Sequence, residues 1–201
     1  MKKEEIAPGI VVYSDVISNS ENLIHDIEYG INSTGMFWQG ARVKEGSHTE
    51  DELNTMTRDT QTFGVGYKGE IVKVKDDGSA ESFINELNNL FYGNFDPIEK
   101  DYMGSYGIFS TWHDTYGILK YGVGQKFTNH IDDHPDYHRR VSTVYYLNED
   151  YTGGEINFPR FNITFKPKAN QMIVFPSTYV YNHSVSPVIE GTRYAVVSWL
   201  R

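Results

Sequence analysis

From Tyr116 to Arg201 the chain is a succession of short apolar runs, and no other feature restricts its fold as strongly. Eight runs stand at 116–122, 126–132, 141–147, 154–158, 161–166, 171–175, 182–188 and 192–200. Turn residues separate them: Gly122-Val123-Gly124, a charged stretch over 133–140, Gly153-Gly154, Pro159, Pro167-Lys168-Ala169-Asn170, Pro176 and Glu190-Gly191. Each run has the length and the turn boundaries of a strand. Eight antiparallel strands so spaced predict a double-sheet jelly roll, a double-stranded β-helix core. A length of 201 residues suits a single domain, residues 1–201, with 111–201 as the jelly roll. Such a core hosts many activities, so function has to be read from particular side chains.

Residues 1–110 read as strands and supporting helices, giving a mainly β chain with flanking helices. An opening strand is predicted over 6–17, and Ser18 with Glu21 has the spacing of a capping box. Leu23, Ile24, Ile27 and Ile31 follow at helical spacing. Residues 39–60 carry charge without period and read as a long surface loop, a solvated insertion or a lid over the site. Alternation resumes over 61–74. A second helix begins at Gly78-Ser79 and stops at Gly93, and Asp96-Pro97 opens a short third one to about Met103.

The chemistry gathers in one run. Along Phe127-Thr128-Asn129-His130-Ile131-Asp132 the residues alternate, and on a strand positions two apart share a face. His130 and Asp132 thus place an imidazole beside a carboxylate. A later histidine, His183, sits in an apolar-flanked segment. Two histidines and one carboxylate on one side of a metal, with the other side open, is the ligand set of non-haem Fe(II) oxygenases. Three protein ligands leave further positions on the metal open. A second pair, His134-Pro135-Asp136, is set aside because Pro135 and its charged neighbours read as a loop, which fixes ligands less firmly. Arg193 opens the last apolar run, and a buried cation there calls for an anionic partner such as a carboxylate.

The order H-x-D, distant His, then Arg resembles the 2-oxoglutarate/Fe(II)-dependent oxygenases, nearest to their prolyl 4-hydroxylase-like group. Further residues carry the likeness: Tyr121-Gly122, Tyr145-Tyr146-Leu147-Asn148, Gly153-Gly154-Glu155, Lys166-Pro167-Lys168, Phe175-Pro176 and the run from His183 to Trp199. It covers about the last 85 residues well and the first 110 loosely. The resemblance implies His130, Asp132 and His183 as ligands of Fe(II), and Arg193 on the distal carboxylate of the co-substrate 2-oxoglutarate. By the same likeness Tyr146 supports that carboxylate, while Tyr145 packs on the opposite face. Tyr121 matches a pocket tyrosine, though a core aromatic is an equal reading, and Trp199 is expected in the core. The activity implied is O2-dependent hydroxylation of an unactivated C–H bond, with succinate and CO2 formed from 2-oxoglutarate. Ascorbate support accompanies many such enzymes.

Substrate class is less constrained. The likeness favours a prolyl residue in a peptide or protein. A free amino acid, another side chain, or a non-catalytic jelly-roll binding protein are the alternatives. The loop 133–140 leaves the ligand strand directly and either covers a peptide or is solvated; Trp112 and His113 are placed to line the mouth. The net charge of −9 argues against a nucleic-acid partner. With no cysteine, no disulfide or thiolate metal site is possible. Met1-Lys2-Lys3-Glu4-Glu5 lacks the apolar core of a signal peptide, and no apolar run reaches membrane length, so the expected location is the cytoplasm. Small single-domain members of the resembled group occur in bacteria and phage, which implies a microbial or phage-encoded source.

Overall fold

Alternation along Val141–Tyr146 sends successive side chains to two different cores, and the architecture follows from that strand. In the computed structural model, which describes residues 1–41, 55–65, 77–110, 112–133, 136 and 138–201, this strand is buried along its whole length. It lies in an eight-stranded antiparallel sheet whose order, edge to edge, is Lys2–Ala7, Ile10–Ser14, Gln171–Pro176, Val141–Tyr146, Arg193–Leu200, Tyr116–Tyr121, Gln61–Val65 and Gln39–Gly40. A five-stranded sheet runs Ile163–Phe165, Ile156–Phe158, His183–Val185, Lys126–His130 and Arg58–Asp59. Thr152–Gly153 pairs separately with Val188–Glu190.

Val141 and Tyr145 point to one side of the large sheet, into a core shared with two helices, α1 (Leu23–Thr34) and α2 (Ser79–Tyr106). Val144 and Tyr146 point to the other side, into a second core with Leu119, Tyr121, Ile156, Phe158, Phe175, Ala195 and Val197. The second core is the interior of the jelly roll. Period-two alternation thus gives one face to packing and the other to the site. The jelly-roll core with flanking helices is as the strand spacing predicts.

The chain departs from expectation in four places, three of them in the N-terminal half. The run 6–17 is a hairpin, Lys2–Ala7 with Ile10–Ser14, turning at Gly9, whose φ is +74°. The capping box at Ser18 and Glu21 does not form; α1 starts at Leu23 with no side-chain cap bond, and Leu23, Ile27 and Ile31 are its buried stripe. Helix α2 is one helix of 28 residues that runs through Gly93 and contains Pro97. Phe91, Phe95, Ile98 and Tyr102 form an unbroken buried stripe across that point. Burying each large side chain contributes about 1.5–3 kcal/mol, enough together to outweigh a cost of roughly 3 kcal/mol for proline inside a helix. The carbonyl that the Pro97 ring would crowd belongs to Gly93, the residue expected to end the helix. Fourth, the run 126–132 ends as a strand at His130, so Asp132 stands just beyond it.

Residues 42–54, 66–76, 111, 134, 135 and 137 lie outside the described residues, and with them most of the expected 39–60 loop and His134 of the second pair. The flank at Arg58–Asp59 pairs with Lys126–His130, and the Thr128 amide donates to the Thr57 carbonyl, so residues 57–59 run alongside the ligand strand. Among the described residues, no helix is long and apolar enough to cross a membrane.

Candidate active site

His130 and His183 sit opposite one another on the neighbouring strands Lys126–His130 and His183–Val185. Each ring is oriented by its own backbone. His130 Nδ1 donates to the Thr128 carbonyl at 2.8 Å, and His183 Nδ1 donates to the Tyr181 carbonyl at 3.1 Å. A proton held at Nδ1 leaves the Nε2 lone pair free on both rings. Both Nε2 atoms face Asp132: His130 Nε2 is 3.5 Å from Oδ1 and His183 Nε2 is 3.7 Å from Oδ2. One ligand atom from each of the three residues falls within 4.8 Å of the other two, the only such His/Cys/Asp/Glu group among the described residues. Three donor atoms of this kind converging on one point is an arrangement that a cation would hold.

The surroundings fix these side chains further. Ser142 Oγ donates to Asp132 Oδ2 at 2.7 Å and is itself 2.8 Å from Ser177 Oγ. The guanidinium of Arg139 donates to the Asp132 carbonyl at 3.3 Å and to Asp114 Oδ2 at 3.3 Å. Phe127 stacks on His130 with ring centroids 3.6 Å apart, and Phe158 and Phe175 lie 5.7 and 4.9 Å from His183. Burial alone would raise the Asp132 carboxyl, but the two imidazoles and the Ser142 hydroxyl hold it well below the usual carboxylate range. Burial, with His130 beside it, pushes His183 down to about 4. At neutral pH the carboxylate is therefore ionised and His183 neutral, the protonation state a metal ion requires. Ser142→Ala is expected to weaken metal binding roughly 10–100-fold, the usual effect of removing a partner of a ligand. Calorimetric titration with Fe(II) under anaerobic conditions checks this.

The same inner face carries a second polar cluster. Ser142 and Tyr146 are four residues apart on one strand, about 13 Å, with Val144 between them on the shared face. Ala195 pairs with Tyr146, and two residues on, Arg193 pairs with Tyr121. Arg193 is 1% exposed, and its Nε and Nη1 have no hydrogen-bond partner. Its Cζ lies 4.8 Å from the Tyr121 ring centroid and 5.1 Å from that of Tyr146. The hydroxyls of Tyr146 and Tyr151 are buried and likewise unpartnered, close enough to feel the guanidinium without bonding to it in good geometry. Among the described residues no carboxylate pairs with Arg193. An unpaired buried guanidinium costs several kcal/mol, which a bound carboxylate would offset through a two-pronged bond. Burial raises both phenols, so they remain protonated donors.

Each site residue read from the sequence falls in one of these two groups: His130, Asp132 and His183 in the first, Arg193, Tyr146 and Tyr121 in the second. Tyr145 packs on the helix side, as expected. Trp199 is half-buried beneath Arg139, whose Cζ lies 3.7 Å above its ring. His113 does not line the mouth. It turns to α2, with Nε2 3.1 Å from Glu99 Oε1 and its ring against Tyr116. Trp112 is 64% exposed. Ser142, Ser177 and Tyr151 went unread in the sequence. A serine within a strand carries no pattern signal, although Ser142 shares alternation with Tyr146 and could have been found from it.

Comparison with known proteins agrees with the geometry. Residues 116–201 match the 2OG-Fe(II) oxygenase superfamily. A PKHD-type hydroxylase of Prochlorococcus marinus (strain NATL1A) is 38% identical over 85 residues, covering 39% of this chain and 38% of that protein. Human Egl nine homolog 1 is 25% identical over 202 residues, covering 95% of this chain and 43% of that protein. The chain thus spans well under two thirds of the length of these curated relatives. Among solved structures, a Trichoplax adhaerens prolyl hydroxylase in complex with a hypoxia inducible factor peptide fragment superposes with a TM-score of 0.69 at 18% identity, covering 96% of this chain and 83% of that one. A Pseudomonas putida prolyl-4-hydroxylase gives a TM-score of 0.65 at 18% identity, covering 96% and 92%.

Proposed function

We propose that this chain, a 2-oxoglutarate/Fe(II) oxygenase of prolyl 4-hydroxylase-like type over residues 116–201, is an Fe(II)- and 2-oxoglutarate-dependent dioxygenase that hydroxylates a prolyl residue in a peptide or protein. The observation that carries the reading is the pairing of the two clusters on one interior face. A three-donor metal site and an unpaired buried guanidinium share it, joined by an apolar strip. When bound, ferrous iron with 2-oxoglutarate and dioxygen supplies oxidative decarboxylation to succinate and CO2 and delivers one oxygen atom to a C–H bond.

The chain's own residues do the rest. His130 and His183 offer Nε2 because Thr128 and Tyr181 carbonyls take the Nδ1 protons. Asp132 offers an oxygen whose position Ser142 fixes. Arg193 and Tyr146 take the far carboxylate of 2-oxoglutarate, and Tyr121 stacks beneath the guanidinium. Phe158 and Phe175 keep water from the His183 side, which holds the ligand field intact while the co-substrate is bound. Residues 1–110 then serve as support for the catalytic 111–201, the whole acting as one domain.

Exposed groups flank the ligand segments. Ile131, between His130 and Asp132, is 46% exposed, and Tyr179, four residues before His183, is 67% exposed. Asn182 Nδ2 donates to Asn129 Oδ1 at 3.1 Å. Exposed apolar and amide groups of this kind suit an extended peptide backbone. The Trichoplax adhaerens relative was solved with a peptide. The test is mass spectrometry after incubation with Fe(II), 2-oxoglutarate, ascorbate and a proline-containing peptide library, alongside free proline and free lysine. One added oxygen on peptidyl proline is the expected result. Addition only to a free amino acid, or to another side chain, moves the substrate to that class. No succinate under any condition leaves a binding protein.

A further inference from the structure

We propose, resting on the co-substrate reading above, that Tyr151 is a further binding residue, its phenol donating to the same distal carboxylate that Arg193 and Tyr146 hold. Tyr151 comes from the turn after the Val141–Tyr146 strand, yet it is only 6% exposed and its hydroxyl is buried without a partner. It meets Arg193 across Gly154. A Cβ placed there would lie 3.0 Å from both Arg193 Cδ and Tyr151 Cε2, and the φ of +65° also favours glycine. The two side chains therefore pack together over a position where any side chain would be strained.

Lys166 locks this tyrosine. Its Nζ sits 3.4 Å from the centre of the Tyr151 ring and donates to the carbonyls of Tyr151 at 2.9 Å and Gly153 at 2.7 Å. Cation and ring together fix the phenol in place before any ligand arrives. Arg193 Nε, Arg193 Nη1, Tyr146 OH and Tyr151 OH are buried donors without a partner. Unless Tyr151 reaches the carboxylate, its buried hydroxyl stays unsatisfied even in the bound state, which is costly.

The test is anaerobic calorimetry on the Fe(II)-loaded protein, where no turnover occurs. Two ligands are titrated: 2-oxoglutarate, and 2-oxopentanoate, which has the same carbon chain without the far carboxylate. Tyr151→Phe keeps the ring and its contact with Lys166. It should weaken 2-oxoglutarate about tenfold, the loss of a hydrogen bond to a charged group, and leave 2-oxopentanoate unchanged. Tyr116→Phe is the control, removing an equally buried and unpartnered hydroxyl from the helix side of the sheet, and should change neither. Unchanged 2-oxoglutarate affinity in Tyr151→Phe overturns the inference, as does an equal loss for both ligands. If Arg193→Met weakens 2-oxoglutarate while Tyr151→Phe does not, the inference alone fails. If the unsubstituted protein binds neither ligand, or does not prefer the dicarboxylate, the co-substrate reading fails and the inference with it.

Discussion

His183→Ala is expected to abolish stoichiometric Fe(II) binding and to bring succinate formation to the level seen without protein. His183 is 5% exposed, fixed by the Tyr181 carbonyl and walled by Phe158 and Phe175. Alanine removes one of three protein donors, and no other His, Asp or Glu among the described residues completes such a group. The loss should exceed the roughly 10–100-fold cost of disturbing a ligand's hydrogen-bond partner. Circular dichroism should show the fold retained, because the strand pairing of His183–Val185 with Lys126–His130 is a backbone feature. His130→Ala should behave alike. His134→Ala, in the rejected pair outside the described residues, should keep iron binding; if that change removed iron and His183→Ala did not, the ligand assignment would be wrong.

Arg193→Met is expected to move binding and stability in opposite directions. The guanidinium is buried, charged and unpartnered at Nε and Nη1, so the ligand-free protein bears the cost of an uncompensated charge. Methionine has similar bulk and no charge, and should raise the stability of the ligand-free protein by about 1–3 kcal/mol in urea unfolding. Binding of 2-oxoglutarate should collapse. Truncating one side of a buried charge pair costs about 2–5 kcal/mol, or roughly 30- to several thousand-fold in affinity. A variant that bound 2-oxoglutarate normally would remove Arg193 from its role. One that was destabilised without ligand would show that the guanidinium has a partner in the resting protein.

The jelly-roll half was more legible in the sequence than the N-terminal half, for physical reasons. Strands buried on one or both faces announce themselves through alternation and through the glycines and prolines that end them, so the jelly roll could be counted. The proposed ligand set was read from the H-x-D spacing and a later histidine, and these three side chains converge in the structure. Tyr146 and Tyr145 could not be separated by pattern, since both are fully buried; only their destinations differ, one core or the other. Gly93 and Pro97 misled because local propensity lost to the packing of Phe91, Phe95, Ile98 and Tyr102 against the sheet. The same holds at Ser18, where the start of α1 is set by Leu23 entering the core rather than by a cap. Ser142 could have been found from its alternation with Tyr146, whereas Tyr151 carried no signal, because the role proposed for it depends on Arg193, far away in sequence.

The central claim is that iron held by His130, Asp132 and His183 works together with a dicarboxylate held by Arg193. Incubation with Fe(II), 2-oxoglutarate and 18O2, followed by mass spectrometry of the acids, tests it most directly. The account predicts succinate carrying one 18O atom from the unsubstituted protein and none above background from His183→Ala. Intact 2-oxoglutarate and no labelled succinate from the iron-loaded protein would contradict it.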